Sequence, residues 1–137
     1  MTFIIANDVF HVMLRAARSS APLEACGLLA GDNGRVSKCY ILANADASPE
    51  HFSMLPKEQF TAVKDMRAKG FRMLAIWHSH PASPARMSAE DMQLAYTPDV
   101  VYVILSLAEP EAPRIRAFTV CDGIAHETPV IIEEKKG

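Results

Sequence analysis

Apolar residues along this chain recur with two periods. Phe3 to Ala6 is a short β-strand candidate, and Asn7 is placed to cap a helix whose positions Val9, Phe10, Met13, Leu14 and Ala17 fall on one face. That helix ends before Pro22. Ala25 to Gly31 is apolar on both parities, as a strand covered on both faces would be. Asp32-Asn33-Gly34 then reads as a hairpin turn that returns Arg35 to Leu42 as the partner strand. Pro56 opens a second helix with Phe60, Val63 and Met66 facing inward and Gly70 at its C-terminal end. Phe71 to His80, Val100 to Leu107, Arg114 to Cys121 and Pro129 to Ile132 follow as strands, with a short helix over Ser88 to Leu94. Such an alternation predicts an α/β fold, a sheet flanked by helices, and excludes a helical bundle or a sandwich.

Composition narrows the function classes. The 137 residues make one domain, 1–137, with 133–137 expected as a frayed tail. Half of the chain is hydrophobic and 22% is charged, which excludes a disordered or fibrous protein. Fourteen basic and sixteen acidic residues give a net charge of -2 without a basic stripe, so no nucleic acid partner is expected. The charge-free apolar run Val100 to Ala108 is far shorter than the roughly 20 residues of a membrane helix, so no membrane is expected either. With no basic, apolar leader at the N-terminus, the expected compartment is the cytoplasm. Cys26, Cys39 and Cys121 are odd in number and widely spaced, which argues against a disulfide framework and fits small buried apolar residues.

Chemistry enters at Trp77-His78-Ser79-His80-Pro81. Residues i and i+2 of a strand share a face about 6.5 to 7 Å apart, so both imidazoles can converge on one metal ion. The plain alternative is a pair of polar residues where a strand meets a loop. Catalytic zinc usually takes three protein ligands. The Pro81 to Met87 loop delivers Ser88-Ala89-Glu90-Asp91, in which Asp91 or Glu90 could be the third ligand. Ser-x-x-Asp is equally a helix capping box. Glu24, at the start of an otherwise apolar strand, is either expensive there or turned outward in the Pro22 loop. No spacing rule ties it to the histidines. His11, His51 and His126 have no partner spacing and read as ordinary residues.

His78-Ser79-His80-Pro81, seven residues, Ser88, two residues, Asp91, and an upstream Glu in Glu24-Ala25-Cys26-Gly27-Leu28-Leu29 together resemble the JAMM (MPN-plus, JAB/MPN) zinc metalloproteases. The similarity extends to the hairpin after Glu24 and to the Ser106-Leu107 and Ala117-Phe118 pairs. Met87 stands where family members often have Pro. The resemblance implies a single JAB/MPN domain of cytidine-deaminase-like architecture, with a curved mixed sheet flanked by helices. It implies that His78, His80 and Asp91 bind one Zn2+ with water as fourth ligand. Glu24 would be the general acid/base and Ser88 the oxyanion stabiliser, with Ser79 orienting its neighbours from the opposite face. A nucleoside-type deaminase would need His-x-Glu and Pro-Cys-x-x-Cys, and neither is present.

By the same resemblance the substrate is the C-terminal Gly-Gly end of a ubiquitin-like protein, its tail laid along a sheet edge by strand addition. The compact length is similar to prokaryotic members that process sulfur-carrier proteins, by trimming a tail or releasing an attached amino acid such as cysteine. General deubiquitinase-like isopeptidase activity stands second, and a non-catalytic MPN scaffold or a structural zinc site behind it. A homodimer is left open.

Overall fold

The computed structural model describes residues 2–95, 97 and 99–134. β1 (Phe3–Ala6) leads into α1 (Asn7–Ser20), followed by β2 (Cys26–Asp32) and β3 (Arg35–Leu42). α2 (Pro56–Ala68), β4 (Arg72–His80), α3 (Ala89–Leu94) and β5 (Val101–Ser106) come next. β6 (Arg114–Cys121), β7 (Ile124–Thr128) and β8 (Val130–Glu133) complete the chain. The strands form one mixed sheet in the order β7-β6-β5-β4-β2-β3-β1-β8. It is curved enough to bring β8 against β6. Among the described residues no helix is long and apolar enough to cross a membrane.

Pleating explains the two-sided apolarity of β2. Leu29 faces the larger core with Trp77, Val103 and the α1 residues Val9, Met13, Leu14 and Ala17. Leu28 and Ala30 face the other side, where Ala62 and Met66 of α2 cover them. Burial of a side chain such as Met66 stabilises by about 2 kcal/mol. The β2–β3 turn is the expected one, with Asn33 at φ 50° and Gly34 at φ 73°, the left-handed pair that a two-residue hairpin requires.

Five expectations are corrected. Asn7 does not cap α1: the cap position is Ala6, because the chain passes from strand to helix without a loop, and Asp8 occupies the first turn. Phe60 is 67% exposed, since Ala62 and Met66 carry the buried stripe of α2 and Lys64 lies over the Phe60 ring. β7 adds a strand to the predicted count, joined to β6 through Asp122 (φ 51°) and Gly123 (φ 74°). Glu133 is not frayed, as it pairs with Ala6 in the sheet and with the Arg35 guanidinium, while 135–137 lie outside the described residues. Among the cysteines Cys26 is buried, Cys39 half-buried and Cys121 exposed, so the expectation of burial fails for the last.

Candidate active site

Antiparallel pairing of β2 with β4 closes the 54-residue gap between Glu24 and His78. Cys26 stands opposite His78, which brings Glu24, two residues earlier, to the level of His80. Ser79 locks this register from the opposite face of β4. Its hydroxyl accepts from the Ala25 N–H at 2.8 Å, and its own N–H donates to the Ala25 carbonyl at 2.9 Å.

The histidine side chains meet as i, i+2 geometry demands, Nε2 to Nε2 at 3.1 Å, but they are buried. Asp91 arrives from the first turn of α3, with Oδ1 3.2 Å from His78 Nε2 and Oδ2 3.1 Å from His80 Nε2. Of the two sequence readings of Ser88-x-x-Asp91, the capping box is seen directly. Ser88 Oγ accepts from the Asp91 N–H and Asp91 Oδ2 accepts from the Ser88 N–H, each at 3.0 Å. The capping box therefore aims the carboxylate at the imidazoles. The hydroxyl proton of Ser88 has no acceptor among the described residues, which leaves it free to donate.

His80 Nδ1 donates to the Pro84 carbonyl at 2.8 Å, fixing the tautomer with Nε2 toward the cluster. The loop carrying Pro84 is held in turn by Ser106, whose hydroxyl donates to the Ser83 carbonyl at 2.6 Å. His78 is stacked by Phe52, ring centroids 4.7 Å apart, from the irregular segment between β3 and α2.

Electrostatics favour a cation in this cluster. Burial pushes the Glu24 carboxyl up to about 8, with His80 opposing and Asp91, Glu90 and Glu50 adding to the rise. Burial also raises Asp91, but hydrogen bonds to His78 and His80 outweigh it and hold its carboxyl well below the usual carboxylate range. His78 is lowered, chiefly by burial, so the neutral imidazole is favoured. Among the described residues Glu24 Oε1 is buried without a hydrogen-bond partner, and ligand atoms of Glu24, His78 and His80 lie within 4.8 Å of one another. Ligand atoms on tetrahedral zinc are about 3.3 Å apart for bonds of about 2.0 to 2.1 Å. The 3.1 to 3.2 Å separations among His78, His80 and Asp91 match that spacing, so the donor set fits zinc.

A cleft of about 410 Å3 opens beside His78. Phe52, Ser53, Met54, Ile76, Met87, Glu90 and Tyr102 are among the residues that line it. His51, expected as a bystander, also lines it and pairs with Asp46 at 3.0 Å. Phe52 and His51 carried no motif or spacing that would have marked them. Among the described residues β4 is paired on both flanks, by β2 and β5.

Solved JAB/MPN-domain structures share this architecture, which defines the molecule as a JAB/MPN-type domain. The chain belongs to the Prok-JAB family, prokaryotic homologs of the JAB domain, whose model matches residues 6–121. A protein of Desulfitobacterium hafniense solved in solution is 47% identical with a TM-score of 0.90, over 98% of this chain and 94% of that one. The CysO-cysteine peptidase of Mycobacterium tuberculosis is 34% identical, over 96% of this chain and 92% of its own. The desampylase of Pyrococcus furiosus is 30% identical, over 77% and 74% respectively.

Proposed function

We propose that this protein is a zinc-dependent peptidase that hydrolyses the amide bond after the C-terminal Gly-Gly of a ubiquitin-like, sulfur-carrier protein. The observation that carries the reading is the convergence of His78, His80 and Asp91 within 3.2 Å, beside Glu24, whose buried Oε1 has no hydrogen-bond partner among the described residues. The peptidase and desampylase names of the relatives support amide hydrolysis at such a carrier.

His78 Nε2, His80 Nε2 and Asp91 would hold the ion. Bound there, zinc would supply Lewis-acid polarisation of the scissile carbonyl and acidification of a water molecule. Glu24 takes the proton of the attacking water and returns it to the departing amine. Its upward-shifted carboxyl suits both halves of that exchange. The Ser88 hydroxyl donates to the oxyanion, a contact worth about 2.7 to 4 kcal/mol in other hydrolases. The carrier tail would enter the cleft lined by Phe52 and Met87, and the reaction there would be release of an attached cysteine or of a short extension.

The test is to incubate zinc-loaded protein with sulfur-carrier proteins extended beyond Gly-Gly and read the product masses. A product ending at Gly-Gly is expected. Uncut carriers in the presence of one bound zinc per chain would instead support a non-catalytic scaffold.

A further inference from the structure

Between β3 and α2 the chain runs without regular structure, yet one side chain organises it. Asn44 Nδ2 donates to the Glu24 carbonyl at 3.1 Å and to the His51 carbonyl at 3.0 Å. Asn44 Oδ1 accepts from the Asp46 N–H at 3.0 Å and the Ser53 N–H at 3.2 Å. Both donors and both acceptor sites of the carboxamide are thereby used. Two main-chain bonds, each 2.8 Å, complete the clasp: Glu24 N–H to the Ser48 carbonyl and Ala45 N–H to the Ser53 carbonyl. The main chain of Glu24 is thus gripped on both sides by this one segment, and the next residue, Ala25, is gripped by Ser79.

The same segment carries Phe52, stacked on His78, and His51, which lines the cleft. One amide therefore couples the backbone of the acidic residue to the aromatic cover of an imidazole. Asp at position 44 would keep the acceptors and lose both donors, and Ala would lose all four bonds.

We infer that Asn44 is a positioning residue for Glu24: it fixes the main chain from which the carboxylate projects, and holds the segment from Ala45 to Ser53 closed against His78. The inference rests on the acid/base reading of Glu24 proposed above. A positioning residue acts on the rate of the bound complex more than on its formation. Displacement of a reacting group by about 1 Å costs on the order of 100-fold in rate.

The experiment compares Asn44→Asp, Asn44→Ala and Glu24→Gln with the parent protein, all zinc-loaded, on a sulfur carrier extended beyond Gly-Gly. Zinc content is measured for each, and amide hydrogen exchange is followed in the metal-free proteins. Both Asn44 variants are expected to keep one zinc and the parent KM, with kcat lowered about 10- to 100-fold. Exchange should speed up at the Glu24 amide in both and at the Ser53 amide in Asn44→Ala, while β2 and β4 stay protected.

Unchanged kcat in both variants, with Glu24→Gln inactive, would overturn the role of Asn44 and leave that of Glu24 standing. Full turnover by Glu24→Gln would remove the acid/base reading and this inference with it. A raised KM at constant kcat would make Asn44 a cleft residue only, and loss of protection throughout the sheet would make it a folding residue only; either result overturns positioning.

Discussion

At the scale of single residues, the proposed chemistry turns on the Glu24 carboxyl, which the fold keeps out of water. Glu24 is 3% exposed, and burial pushes its carboxyl up from the ordinary carboxylate range to about 8. A carboxyl raised in this way destabilises the folded chain once the unfolded chain can ionise. Without metal, stability contributed at this position is therefore lost as pH rises from about 4.5 to about 8, and is level beyond that. Glu24→Gln removes the titration. Melted in chelator, the variant should gain in Tm relative to the parent across that window; a difference that does not change with pH would contradict the buried, unpartnered carboxyl. The i, i+2 spacing let His78 and His80 share a face without deciding between a metal pair and a plain polar pair; Asp91 or Glu90 stood as a possible third ligand, and the resemblance singled out Asp91 and Ser88. Glu24 was legible only through the resemblance, because its link to the histidines is the β2–β4 register, which no local spacing encodes. Asn44 and Phe52 act through a segment with no periodicity, so nothing in the sequence marked them.

At the scale of elements, the pairing of β2 with its neighbours leaves no room for a side chain at Gly27. A Cβ there would lie 1.9 Å from the Tyr40 carbonyl oxygen and 2.7 Å from Trp77 Nε1. Since Tyr40 belongs to the adjacent strand, relief requires β2 and β3 to separate. Gly27→Ala is expected to cost about 3 kcal/mol, read as a lowered midpoint in urea. A midpoint like the parent's would show that the strands can part cheaply. α3 is the other element the chemistry relies on. Its N-cap, Ser88, is also the proposed oxyanion donor, so Ser88→Ala should cost about 1 kcal/mol of stability and about 100-fold in kcat while keeping zinc. Equal kcat would confine Ser88 to capping. Elements with strong periodicity, such as the β2–β3 hairpin and β4, were legible to within a residue or two. β7 was not, as Ile124 to Thr128 is mostly exposed and lacks an apolar face, although Asp122-Gly123 is a hairpin signal that could have found it.

At the scale of the molecule, the fold brings the start of β2 to the end of β4 and the cap of α3, which follow it far along the chain. An ion held by His78, His80 and Asp91 would tie β4 to α3 and offset the mutual repulsion of Asp91 and Glu24, so metal binding and folding should be linked. At a free zinc concentration 100 to 1,000 times Kd the linkage amounts to about 2.7 to 4.1 kcal/mol. Chelation should therefore lower Tm by several degrees, reversibly, and zinc should restore it. Asp91→Ala separates the ion from the protein around it: the variant should bind zinc weakly and melt at nearly the same temperature with and without chelator. A Tm of the parent protein indifferent to chelation, or an Asp91→Ala variant that keeps both its zinc and its response, would return Asp91 to the helix cap alone and leave the two histidines without a third ligand from α3.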